Sequence, residues 1–352
     1  MKYDFDQEIN RKGSKCEKYD NLDAVFSHSD IIPLWVADTD FATPPFIMDA
    51  VRCRAEHPVL GYTFRDESYL RSIASWLRHR RGWKVDTSCL EFSPGVVCGI
   101  SYGINSFTEV GDKVVIQPPV YPPFARTTVA NGRVVVNNPL KLVGGRYEID
   151  FEGLDCALSD AKLFVLCNPH NPTGRVFTRE ELSHIGELCL KYGVKIVSDE
   201  IHCDLVMNGC AHTHIASLSK AIADITITYI APSKTFNTAG LSTSVAIITN
   251  PELMKVYRAN SDKIHVGQGN IFGAVALQAA YENGGDWVDQ LMVYIEANAD
   301  YVVDFITSNM PRIKCYKPEA TFLLWLDCRK MGMSVKELNQ FMITSAHLGL
   351  ND

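Results

Sequence analysis

The stretch Tyr229–Leu241 reads YIAPSKTFNTAGL, and the reading of its single lysine decides the fold. Just upstream, Ile225 to Ile230 is apolar and β-branched at nearly every position, the pattern of a strand buried on both faces. Lys234 follows that strand, with Pro232 and Ser233 before it and Thr235 and Asn237 after it. An isolated SK dipeptide is most often a loop with its ammonium in water. A lysine just past a buried strand, among hydroxyls and ahead of AGL, is poorly placed for that. Partial burial lowers a lysine's pKa and makes the neutral amine available as nucleophile or base.

Three other stretches share this design. LFVLCNPHNPTGRVF, Leu163 to Phe177, runs from an apolar strand straight into Asn168-Pro169-His170-Asn171-Pro172-Thr173-Gly174. Two Asn-Pro steps so close together force an extended or turning backbone. A rigid loop at a strand's end is where ligands bind in open α/β sheets. VKIVSDEIHCDL, Val194 to Leu205, takes another apolar strand into Ser198-Asp199-Glu200-Ile201-His202. FSPGVVCGISYGI, Phe92 to Ile104, has a Pro-Gly turn opening a helix whose first amides suit a phosphate.

Taken in chain order (the Pro-Gly turn, the Asn-Pro loop, the Asp after a strand, then the lysine), the four motifs resemble the pyridoxal-phosphate (PLP) enzymes of the aspartate-aminotransferase fold, fold type I. Pro33 to Phe41, PLWVADTDF, is similar to that fold's PxWVADMDF variant, with Thr39 where Met is usual. Gly61-Tyr62-Thr63, Pro119-Val120-Tyr121-Pro122-Pro123-Phe124, SDEIHCDL and APSKTFNTAGL complete the likeness. Together they resemble the MalY/PatB group of cystathionine β-lyases and cystalysin-like C–S lyases, over essentially the whole chain.

The resemblance implies roles. Lys234 is the Schiff-base lysine and carries the Cα proton. Asp199 pairs with the pyridinium nitrogen; the plainer reading of it is a loop cap at a strand end. Asn171 donates to the ring's phenolic oxygen, and His202 falls where aminotransferases often place a tyrosine near that oxygen. Tyr121 stacks on the ring. The amides of Val96 and Val97, the Ser233 hydroxyl, and Tyr62 from a second subunit bind the phosphate, which implies a homodimer. The arginine found eight residues after the lysine in aspartate aminotransferases is replaced here by Ser242. The implied reaction is α,β-elimination of cystathionine or cysteine S-conjugates to pyruvate, ammonia and a thiol. Alternatives are transamination of a small amino acid, or a PLP-binding protein acting mainly through protein contacts. A nucleotide-binding α/β protein is disfavoured, since neither GxGxxG nor GxxxxGK[ST] follows a strand.

Composition sets the outer limits. The 352 residues are 46% hydrophobic and 21% charged, ordinary for a globular chain that buries a large core. A net charge of −7 argues against nucleic acid or an anionic membrane as partner. The charged start MKYDFDQEINRKGSK has no apolar secretory core, and no apolar run is long enough to span a bilayer. The eleven cysteines show no CxxC spacing, which reads as reduced packing residues in a cytoplasmic protein. Cys167 and Cys203, beside the site motifs, are read the same way.

Along the chain, helices are expected at 46–54, 70–80, 124–130 and 151–158. Another should start at the Thr178–Glu181 capping box, and two more should cover 287–308 and 335–347. Strands are expected at 113–116, 134–136, 163–167, 195–197, 225–230, 243–248 and 321–327. Apolar strands alternating with helices imply an α/β fold with a mostly parallel sheet covered on both faces. The expected division is a large PLP domain at 46–285 and a smaller α+β domain from 1–45 and 286–352. The group's chains continue past the equivalent of Asp352 with an arginine, in an RxN motif, for the substrate carboxylate. The expectation is therefore of a chain that binds PLP but turns substrate over poorly.

Overall fold

The computed structural model, which describes residues 2–351, is built on a seven-stranded sheet. In chain order its strands are β1 Leu90–Ser93, β2 Lys113–Ile116, β3 Val134–Asn137, β4 Leu163–Cys167, β5 Lys195–Asp199, β6 Thr226–Ile230 and β7 Ser244–Ile247. They lie side by side as β1-β7-β6-β5-β4-β2-β3. β7 is antiparallel to both of its neighbours, and every other pairing is parallel.

β4, β6 and β7 are buried at every residue. Successive side chains of a strand face opposite ways, so such strands need cover on both sides. Val165 and Val197 join a core with Val96, Ile100 and Ile104 of the helix Val96–Phe107. Their neighbours Phe164, Leu166 and Ile196 join another core with Leu182 and Ile185 of the helix Arg179–Tyr192. That second helix starts at the Thr178–Glu181 capping box and stops at Gly193. The helix Val96–Phe107 lies hard against β6: a Cβ on Gly99 would sit 2.3 Å from the Tyr229 ring. Only glycine permits that approach.

A further core joins the helices Pro45–Glu56, Glu67–Arg81, Ile271–Asn283 and Gly285–Asn309 around Phe236, two residues past Lys234. Trp287 donates its indole N–H to the Thr235 carbonyl at 3.1 Å. The loop after the lysine is therefore fixed from behind by packing. At the chain's two ends, Ile32–Pro33 pairs in parallel with Leu348–Gly349.

The expected strand over 321–327 shrinks to Leu326–Asp327, paired with Lys314–Cys315. Thr321 is fully buried with φ +74°, a left-handed conformation that no strand accommodates. The helix expected to reach His347 ends at Thr344. The helices Pro251–Lys263 and Ile271–Asn283 had no counterpart in the sequence reading. The second buries seven of its thirteen residues, mostly alanine and glycine, so it shows no clean apolar stripe.

Candidate active site

β1, β2, β4, β5 and β6 all run the same way, so their carboxyl ends share one edge of the sheet. Five of the quoted motifs follow those ends. The Pro-Gly turn follows β1, Tyr121 follows β2, the Asn-Pro loop follows β4, Asp199 closes β5, and Lys234 follows β6. Crevices at such edges are the usual ligand sites of open α/β sheets.

Lys234 Nζ donates to the Ala37 carbonyl at 2.6 Å. Burial lowers its pKa, and the carboxylates of Asp199 and Asp38 partly offset this. Asp199 is buried and its carboxyl is pushed up to about 7. Burial dominates there, opposed by the Ile201 N–H, 3.1 Å from Oδ1, and by the Lys234 charge. His202 is buried with both ring nitrogens unpartnered. Burial, reinforced by Lys234, takes its pKa down to about 3, so the ring is neutral. The Tyr121 hydroxyl is raised by burial and then by Asp199. Tyr121 N–H donates to the Asn171 carbonyl at 3.0 Å, locking the Tyr121 turn to the Asn-Pro loop. Asn168–Pro169 and Asn171–Pro172 are both cis.

Val96 and Val97 open their helix behind Gly95, which has φ +113°. No side chain caps this end, and a Cβ on Gly95 would meet nothing within 4 Å. Uncapped first-turn amides at a helix N-terminus are donors suited to an anion. Ser233 sits half-buried in the lysine turn. Tyr62 is different: it is 95% exposed, in an exposed stretch with Val59, Leu60 and Phe64, and is not brought to the cluster from within its own chain. Cys167 and Cys203 are buried, and all eleven cysteines are free.

Two features escaped the sequence reading. Asn237, at φ +55°, donates Nδ2 to the carbonyls of Thr39 and Phe41 at 2.9 Å each, and its Oδ1 accepts from the Thr39 N–H at 3.3 Å. It clasps the WVADTDF stretch over the lysine. Arg11 holds Asp38 through two bonds of 2.9 and 2.7 Å, and reaches Asp40 at 2.7 Å. Lys18 adds a 2.8 Å contact to Asp40. Only the asparagine left a signal, as the polar residue that ends SKTFN.

Residues 29–349 match the family model described as aminotransferase class I and II. The chain belongs to that family. The match takes in every strand of the sheet and the paired chain ends. Over 341 residues the chain is 45% identical to cystathionine β-lyase PatB of Bacillus subtilis, covering 96% of this chain and 88% of that one. The PLP-containing structure of cystalysin from Treponema denticola superposes with a TM-score of 0.94 at 35% identity, covering 99% and 89% of the two chains. The PLP-bound C–S lyase of Staphylococcus hominis gives 0.91 at 34% identity, with the same coverages.

Proposed function

We propose that this chain is a PLP-dependent carbon–sulfur β-lyase that eliminates a thiol from cystathionine or a related cysteine S-conjugate, leaving pyruvate and ammonia. The observation that carries the reading is a pair on one sheet edge: a half-buried lysine with a depressed pKa and a buried aspartate with a raised one. The similarity to a cystathionine β-lyase and to two C–S lyases supports the substrate class.

The residues suit PLP part by part. The uncapped amides of Val96 and Val97, with the Ser233 hydroxyl, offer donors to a phosphate. Asp199, costly to ionise alone, becomes a favourable anion beside a protonated pyridine nitrogen. The unpartnered nitrogens of His202 and the amide of Asn171 are available to the ring oxygen, and Tyr121 to the ring face. Lys234 is the amine for the cofactor's aldehyde. When bound, PLP supplies an electron sink for the pair left when the Cα–H bond breaks. Lys234 takes that proton in its neutral form, which burial favours, while the clasped Ala37–Phe41 stretch covers the site.

A homodimer completes this proposal, supported by the exposure of Tyr62 among apolar neighbours. The division into 46–285 and 1–45 with 286–352 is proposed too, supported by the pairing of Ile32–Pro33 with Leu348–Gly349. No helix among the described residues is long and apolar enough to cross a membrane. Eleven free thiols favour a reducing, cytoplasmic setting. The test is to incubate the PLP-loaded protein with cystathionine and no keto acid. Pyruvate accumulating over many turnovers supports the lyase. Reaction only when a keto acid is added makes the protein an aminotransferase.

A further inference from the structure

Beside Asp199 lies a buried polar group that the proposed chemistry does not use. Glu200, His212 and His214 are all fully buried, and their nearest donor atoms lie within 4.8 Å of one another. The Glu200 carboxylate takes three donors. Ser198 Oγ gives a 2.7 Å bond to Oε1, His212 Nε2 a 2.9 Å bond to Oε2, and His214 Nδ1 a bond to the same oxygen. Burial alone would push this carboxyl up. The adjacent His214 and the bonds from both histidines outweigh it and hold Glu200 below its ordinary range, as an anion.

The group is bonded into a closed ring. Asn168 Nδ2 donates to His212 Nδ1 at 3.4 Å, and Asn168 N–H donates to the Asp199 carbonyl at 3.0 Å. Asp199 is joined to Glu200 by the peptide bond, and Glu200 returns to His212. Asn168 Oδ1 also accepts from the Phe177 N–H at 3.0 Å, which fixes both ends of the Asn-Pro loop. One ring thus ties the end of β5, which carries Asp199, to the end of β4, from which Asn171 springs.

We propose that Glu200 and His212 are positioning residues that act on the cofactor through Asp199. They hold its backbone, and they add a second buried negative charge beside it that favours a protonated pyridine nitrogen. The proposal rests on Asp199 being the ring partner. A metal site is the rival use of two histidines and a carboxylate, and the bonding argues against it. Because the Asn168 amide donates to Nδ1, the His212 proton lies on Nε2, aimed at Glu200, where a metal needs a lone pair. The 2.9 Å separation is also that of a hydrogen bond, whereas two ligands about 2 Å from one tetrahedral zinc stand about 3.3 Å apart.

The experiment is a double-mutant cycle read by PLP affinity, titrating cofactor-free protein, with unfolding midpoints measured alongside. Glu200→Gln should weaken PLP about tenfold in the parent and hardly at all in Asp199→Asn, since groups acting as one unit are not additive. His212→Leu should behave like Glu200→Gln. His212→Gln, which keeps a donor toward Glu200, should fall between it and the parent. An Asp199→Asn protein that binds PLP like the parent overturns the reading of Asp199, and this proposal with it. A weakened Asp199→Asn combined with additive effects of Glu200→Gln overturns the ring alone, as do variants that lower only the unfolding midpoint. One zinc per chain in protein purified without chelator, lost together with PLP affinity on chelation, also overturns it.

Discussion

The side-chain nitrogen of Lys234 rests on the backbone carbonyl of Ala37, 2.6 Å away, so the lysine after β6 and the N-terminal arm share a bond across 197 residues of sequence. A carbonyl partner accepts from the ammonium and the neutral amine alike. It therefore holds the side chain in place without protecting its charge. Lys234→Ala should abolish the PLP that borohydride fixes to the parent chain, seen by intact mass. It should leave the unfolding midpoint nearly unchanged, because a partly desolvated cation is removed. A reduced PLP adduct persisting in this variant would assign the linkage to another lysine.

Asn237 should matter to catalysis beyond its modest bulk. Its three bonds to Thr39 and Phe41 close the arm over the site, and its left-handed backbone suits asparagine better than alanine. Asn237→Ala is expected to cost about 2 kcal/mol in stability. Asn237→Gly removes the clasp without the strain and should lose less stability. Both should raise KM more than they lower kcat. A normal KM in the glycine variant would show that the arm stays closed without the clasp.

Asp199 should leave a signature in the stability of the cofactor-free protein. Its folded pKa of about 7 lies above the ordinary 3.8. Its contribution is fully present below pH 3.8 and is lost as pH rises through about 7, a difference of about 4 kcal/mol. His202, lowered to about 3, acts in the opposite sense over about the same window, but it is present in both proteins and cancels in a comparison. Urea unfolding of the parent and of Asp199→Asn from pH 4 to 8 should show the parent falling relative to the variant. Parallel curves would mean that the carboxyl is solvated or already paired.

Tyr62 tests the assembly. The chain should sediment at twice its 39.3 kDa mass. Tyr62→Phe should keep that mass yet bind PLP about tenfold more weakly, the effect of one hydrogen bond to a charged group. A monomer that binds PLP tightly would remove Tyr62 from the phosphate site.

The sheet edge was legible because buried parallel strands leave continuous β-branched runs, and each run ends in Pro, Gly, Asn or Asp. Lys234, Asp199, Asn171 and the Val96 turn all sit at such boundaries. The folded-over segment around Thr321 was not legible, since its apolar run reads as a strand while its buried left-handed turn depends on tertiary contacts. One such contact is the bond from the Thr321 N–H to the Leu205 carbonyl, 2.7 Å. Nor was the helix Ile271–Asn283, whose small residues pack on nearly every side. The ring through Glu200 left a trace in the HTH spacing at His212–His214, but local sequence does not show that these histidines return to the end of β5.

The most direct test of the central claim is the product stoichiometry with cystathionine as sole substrate. The account predicts one thiol and one ammonia for each pyruvate over many turnovers, a rate unchanged by added keto acid, and no pyruvate from Lys234→Ala. Thiol-free turnover that depends on a keto acid, or pyruvate formation that survives loss of Lys234, would contradict it.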